Sequence, residues 1–128
     1  MAQLALLLAA VLCVLTAGVH SVLGETRLIG PLLASQARIM RDPLARRVLR
    51  FAWHWTSALW LVVAVVLVSA ATGSFVDRTI LLAIATAHIL GGLADAVVTR
   101  GKHIGWPLIL AIGGLTLFAV ITIAQDRT

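Results

Sequence analysis

The fold is decided by the stretch from Leu4 to Gly24, which reads LALLLAAVLCVLTAGVHSVLG and contains no charged residue. An α-helix rises about 1.5 Å per residue, so a run of this length spans the roughly 30 Å hydrocarbon layer of a membrane. Three further apolar runs follow at about residues 51–72, 79–98 and 104–124. Backbone polar groups find no water in lipid, so each run is predicted to be a membrane-spanning helix.

The overall composition agrees with this prediction. Of the 128 residues, 61% are hydrophobic and 12% are charged, and the mean hydropathy is +1.06. Such values exclude a water-soluble globular protein, and the length excludes a multidomain enzyme. No Lys or Arg precedes the first apolar run, which favours a retained helix over a cleaved signal peptide. We therefore predict one all-α transmembrane domain over residues 1–128, an integral up-down four-helix bundle.

The positive charges predict how the bundle is oriented. The first connection, residues 25–50, and the third, near residue 101, hold eight cations, whereas the second connection and the C-terminal tail hold two. The eight are Arg27, Arg38, Arg41, Arg46, Arg47, Arg50, Arg100 and Lys102, and the two are Arg78 and Arg127. Cytoplasmic loops are enriched in cations, so both termini are predicted to be periplasmic. This pattern explains the net charge of +5 without a nucleic-acid partner.

Residues that are typical of helix N-termini refine the predicted helix boundaries. Asp42 followed by Pro43 predicts an N-cap and first helical position about two turns before the second span. Pro107 fits the first turn of the fourth helix. The stretch from Pro31 to Arg41 combines apolar residues with arginines, which predicts a short helix in the headgroup region. Short connections predict that consecutive helices are antiparallel neighbours.

Six ionisable residues gather toward the predicted cytoplasmic end of the spans. They are His20, Glu25, His54, His88, Asp95 and His103, with His88 about 10 Å deeper than the others. Ionisable groups inside a membrane are costly and are by default candidate sites. Small residues, such as Ala17 beside His20 and Gly92 beside His88, share their helix faces. Since small residues mark helix contacts in lipid, the ionisable groups are predicted to point at one another.

Three chemistries can use this set. All six side chains are candidate ligands for Zn, Cu or Fe, because imidazole and carboxylate groups suit these ions. His20 and His54, at similar depth on adjacent helices, are candidate axial ligands of haem b. Without a cofactor, His88 and Asp95 can relay protons or bind a cationic substrate. The leading hypothesis is a metal- or haem-binding, redox-active membrane protein, and whether it is an enzyme stays open.

Structural explanations stand beside each of these assignments. His54, between Trp53 and Trp55, fits an interfacial aromatic belt, and Glu25 fits a surface ion pair. For His88 and Asp95 the structural alternative is an interhelical hydrogen bond that holds the bundle together. Cys13 fits a small buried apolar residue. The alternative functions are an accessory subunit of a respiratory or photosynthetic complex and a small proton-coupled transporter.

One segment carries a family resemblance. His20-Ser-Val-Leu-Gly24-Glu25 is followed by a Pro-Leu-Leu stretch at Pro31 and by the Trp-His pair at His54. These features resemble small uncharacterised four-helix membrane proteins of bacteria with an H-x3-G-E segment and a Trp-His pair. The resemblance covers the first half of the chain. From the sequence as a whole we expect a protein of a bacterial inner membrane, with the lipid bilayer, a homo-oligomer or a larger membrane complex as partners. The resemblance implies that His20 and His54 belong to the shared pattern, but no activity.

Overall fold

The structure is a computed structural model that describes residues 1–35 and 37–125. Every regular element in these ranges is helical. In chain order they are α1 (Ala2–Gly24), a π-helical turn (Glu25–Ile29), α2 (Gly30–Ala34), a 3-10 turn (Arg38–Arg41), α3 (Pro43–Ala71), α4 (Arg78–Val98) and α5 (Trp106–Gln125). Four helices are long and apolar enough to cross a membrane. The all-α, four-span prediction is thereby confirmed at the level of length and composition.

The first helix extends further than the sequence predicts. It does not end at Gly24, because the π-helical turn and α2 continue it without a break to Ala34. The backbone N–H of Gly30 donates to the carbonyl of Glu25, five residues back. A π-helical turn inserts one residue into an α-helix and is frequent at functional sites. The predicted connection of residues 25–50 is therefore much shorter, since α3 begins at Pro43.

The stretch from Pro31 to Arg41 does not form the single separate helix that its composition predicts. Its first part ends the long first helix at Ala34, and its last part is the 3-10 turn. Gln36, between them, lies outside the described residues. The two parts fold back on α3 through a small core in which Ile29, Leu33 and Met40 are buried.

Aspartates start the second and third spans. The Asp42 side chain accepts a hydrogen bond of 2.9 Å from the backbone N–H of Leu44, which confirms the predicted N-cap before Pro43. Asp77 caps α4 in the same way, with 2.6 Å to the N–H of Thr79. These bonds satisfy N–H groups that the first turn of a helix leaves without partners.

The four long helices do not all pack on their chain neighbours. α1 packs against both α3 and α5, and α4 packs against α5, whereas the backbones of α3 and α4 hardly approach each other. The expectation that consecutive helices are neighbours is thus wrong for α3 and α4, although only residues 72–77 connect them. Leu6, Cys13, Leu67 and Ile112 are fully buried where the helices meet.

Two glycines allow α4 and α5 to approach closely. A Cβ on Gly92 would lie 2.7 Å from Leu110, and one on Gly113 would lie 2.7 Å from Ile89. The predicted small-residue seam is therefore present at these two positions. Gly91 and Gly114 are next to these two glycines in the sequence, but a Cβ at either would meet open space.

Candidate functional site

A cluster of polar side chains joins the end of α1 to the first half of α3. His54 Nδ1 lies 2.7 Å from the Ser21 hydroxyl, and His54 Nε2 lies 3.2 Å from Glu25 Oε2. The other Glu25 oxygen, Oε1, accepts from the Arg50 guanidinium at 2.8 Å. Together with a second histidine and serine described next, these residues are called the polar cluster: His20, Ser21, Glu25, Arg50, His54 and Ser57.

His20 is held between α1 and α3 by a hydrogen bond and by ring packing. Its Nδ1 lies 3.0 Å from the hydroxyl of the buried Ser57. The imidazole stacks on the indole of Trp53, with centroids 4.1 Å apart and planes 11° apart, and meets Trp60 edge-on at 5.2 Å. Its Nε2 has no hydrogen-bond partner among residues 1–35 and 37–125. Each histidine of the cluster is thus bonded to a serine of the opposite helix.

Gly24 completes this arrangement. The indole N–H of Trp53 donates to the carbonyl of His20 at 3.0 Å, which draws the ring against α1. A Cβ on Gly24 would overlap that indole. The structure gives each residue of the H-x3-G-E segment a contact. His20 stacks on Trp53, Gly24 leaves room for the Trp53 ring, and Glu25 is hydrogen-bonded to His54.

A second imidazole–carboxylate pair lies where α4 leads into α5. His103 Nδ1 is 2.6 Å from Asp95 Oδ2. The pair is local, since eight residues separate its members, and His103 is the more exposed of the two. Asp95 lies near the end of α4 and His103 just before α5, as Glu25 follows α1 and His54 lies in the first half of α3. Both pairs therefore belong to one end of the bundle.

His88 stands apart from both groups. Its Nδ1 donates to the carbonyl of Ile84, one turn earlier on α4, at 2.8 Å. Within the described part of the chain, no hydrogen bond joins His88 to Asp95 or to another helix. The expectation that His88 meets the other ionisable groups stays a prediction, and the one hydrogen bond of its ring is made to its own helix.

A buried hydroxyl lies one turn before His20 on α1. Thr16 is 4% exposed, and its Oγ1 has no hydrogen-bond partner in the described part of the chain. A threonine in a helix usually donates to a carbonyl of the preceding turn, as Thr116 does to Ile112 at 2.8 Å. A buried hydroxyl without a partner is uncommon and marks a place for a water or a polar ligand.

The six predicted site residues are thus distributed over three places. His20, Glu25 and His54 belong to the polar cluster, Asp95 and His103 form the second pair, and His88 is separate. Among the described residues, no three His, Cys, Asp or Glu side chains are grouped so that they could hold a metal ion. The metal and haem assignments stay predictions, and Cys13 is buried with a free thiol.

Several residues of the site were not singled out by the sequence reasoning. Ser21 and Ser57 make hydrogen bonds to the two histidines. Their positions in the sequence were the one indication of this role, since Ser21 follows His20 and Ser57 lies one turn after His54. Arg50 was read only as a loop charge. Trp53 was assigned to an interfacial belt, but its ring packs inside the site.

Compared with protein-family models, with curated proteins and with solved structures, the chain matches none.

Proposed function

We propose that the chain is a bacterial inner-membrane protein with both termini in the periplasm. Eight of its ten cations support this orientation, since they belong to the end of the bundle that holds the polar cluster. In this arrangement α2 and the 3-10 turn lie at the cytoplasmic headgroups, where exposed Ile39 and neighbouring arginines suit an interface. The polar cluster then opens toward the cytoplasm.

We further propose that the protein binds and releases protons at the polar cluster and couples this to the passage of a small cation. The observation that carries the proposal is that His54 lies between the Ser21 hydroxyl and the Glu25 carboxylate. Neutral His54 accepts from Ser21 and donates to Glu25. Protonated His54 donates to both, since a hydroxyl rotates freely from donor to acceptor. Both charge states are satisfied without moving a helix, and histidine changes charge nearest neutral pH.

Two further features are consistent with a path through the bundle. The unpartnered Thr16 hydroxyl lies one turn from His20, toward the middle of the membrane. At the opposite end, a cavity of about 700 Å³ opens between the helices, lined in part by Leu6, Leu81 and Val120. Polar groups and cavities within a span are typical of ion pathways.

The proposal is tested by charge movement on a supported membrane that carries the reconstituted protein. A rapid pH jump should produce a transient current as protons enter the cluster. The E25Q and H54Q variants should each lose more than half of the displaced charge. D42N is the matched control, because it removes an exposed carboxylate outside the polar cluster and asparagine can still cap α3. Equal currents from wild type, E25Q and H54Q would reject the proposal.

A metal- or haem-binding function, the leading hypothesis from the sequence, becomes the second candidate here, and one observation favours it. His20 presents an unbonded Nε2 while Ser57 fixes its Nδ1, and metal-ligating histidines usually have their second nitrogen hydrogen-bonded in this way. The ultraviolet-visible spectrum and elemental mass spectrometry of the purified protein test it. Stoichiometric metal or a Soret band that is lost in H20A supports it, and a colourless, metal-free protein contradicts it.

Membership of the small bacterial four-helix proteins is proposed on the H-x3-G-E segment, whose residues meet in the polar cluster. Assembly as a subunit of a larger membrane complex is a further proposal. Native mass spectrometry of the gently solubilised membrane distinguishes a separate monomer or homodimer from such a complex.

A further inference from the structure

A groove rich in arginine lies between α2 and the start of α3, next to the polar cluster. Its volume is about 600 Å³. Four of the residues that line it are arginines, namely Arg41, Arg46, Arg47 and Arg50. Leu33 and Phe51 line it as well, so that guanidinium groups and apolar side chains share one concave surface.

Three of the four guanidinium groups carry no compensating charge. Among the ion pairs of the described residues, only Arg50 takes part, with Glu25, whereas Arg41, Arg46 and Arg47 have no acidic partner. Like charges that line one groove repel each other unless an anion joins them. The planar guanidinium fork matches the geometry of phosphate oxygens, so the missing anion is best supplied by a phosphate group.

The apolar part of the groove distinguishes a lipid from a free anion. Phe51 is 65% exposed, and Leu44 and Val48 beside it on α3 are also exposed. These side chains stand next to the arginines at the point where α3 enters its apolar span. A phosphate with attached acyl chains would contact both surfaces, whereas free phosphate would leave the apolar side chains in water.

We propose that this groove is a specific site for an anionic phospholipid of the adjacent leaflet. The arginines bind its phosphate, and the acyl chains lie along Phe51 and the outer face of α3. Basic pockets beside transmembrane helices are suited to such headgroups. The site does not depend on the proposed proton function. It does touch the polar cluster, because the phosphate competes with Glu25 for Arg50, and His54 also lines the groove.

Native mass spectrometry of the full chain in mild detergent tests the proposal. The protein is titrated with phosphatidylglycerol and, separately, with phosphatidylcholine of the same acyl chains. Wild type should prefer phosphatidylglycerol, and the R46Q/R47Q double variant should bind it roughly tenfold or more weakly. The matched control is R27Q/R38Q, which has the same net charge but removes arginines that do not line the groove, and it should bind like wild type.

Three results would overturn the proposal. Equal weakening of phosphatidylglycerol binding in both double variants would show that the lipid is attracted to the protein's positive charge in general and not to the groove. Displacement of the lipid by millimolar inorganic phosphate alone would show a site for the free anion. Equal binding of the two lipids by wild type would show that the site does not select a lipid of net negative charge, and this arm needs no variant to fold. A circular dichroism melt of each double variant confirms that weakened binding is not unfolding.

Discussion

At the scale of single residues, Gly24 is the position on which the site depends most. Only a hydrogen atom fits between its Cα and the indole of Trp53, and that indole positions His20 by stacking and by its hydrogen bond. The sequence placed Gly24 beside His20, but it could not show that the ring of a distant tryptophan fills the space. Helix contacts of this kind depend on the rotation of two helices.

We expect G24A to destabilise the protein by about 1–3 kcal/mol, because the added methyl group forces the Trp53 ring outward. G18A is the matched control. A Cβ on Gly18 meets nothing within 4 Å, so alanine there should be neutral or should stabilise the helix by up to about 1 kcal/mol. Thermal unfolding of both variants in one detergent measures the difference, and equal melting temperatures would contradict the assignment.

Because a sequence does not show how its helices are rotated, it located only some of the candidate residues correctly in space. Glu25, His54 and His20 were placed at one end of two helices from their spacing alone, and the structure bonds His54 to Ser21 and Glu25 and bonds His20 to Ser57. His88 lies on a predicted inner face, yet it bonds to its own helix. Spacing fixes depth along a helix well, but it does not fix which hydrogen-bond partner a side chain selects.

At the scale of helices, close packing of α4 on α5 depends on two of four glycines. G92A and G113A should each lower stability by about 1–3 kcal/mol, since the new methyl groups would lie 2.7 Å from Leu110 and Ile89. G91A and G114A are the controls, because both positions face open space. Denaturation of the four variants under one condition separates the pairs, and uniform behaviour would show that the α4–α5 packing is described incorrectly.

The cap of α4 makes a pH-dependent contribution. Hydrogen bonds from the side chain and backbone of Thr79 stabilise the charged carboxylate and lower the pKa of Asp77. The folded pKa is therefore below the unfolded one. The stabilisation is complete above the unfolded pKa and is lost as the pH falls through the folded value. Wild type should melt above D77N at pH 7, and the difference should shrink as the pH falls below the ordinary aspartate pKa of about 3.9 and through the lower folded value. A constant difference would contradict this origin.

The helix boundaries show what pattern reasoning can and cannot supply. Asp42 and Pro43 correctly predicted the start of α3, because a helix cap depends on residues that are adjacent in the sequence. The continuation of the first helix through Glu25 was missed, since charged residues after an apolar run were taken as the end of a helix. The helix instead widens into a π-helical turn. The hydrogen bond from the Gly30 N–H to the Glu25 carbonyl closes this turn.

At the scale of the whole molecule, hydropathy predicted four spans but not their packing order. The separation of α3 from α4 follows from contacts that no single span encodes. The orientation of the bundle is a separate prediction, and single cysteines test it in a C13S background. In intact cells, a membrane-impermeant maleimide should label G73C, between α3 and α4, and not K102C, between α4 and α5. The opposite labelling would place the polar cluster in the periplasm.

The central claim is that Glu25 and His54 form one protonation site, with His20 beside it. The most direct test is ¹⁵N nuclear magnetic resonance of the four histidines, recorded across pH in wild type and E25Q. The account predicts that E25Q alters the titration curves of His54 and His20 and leaves that of His88 unchanged, because His88 bonds only to its own helix. Unchanged curves for His54 and His20 in E25Q would contradict it.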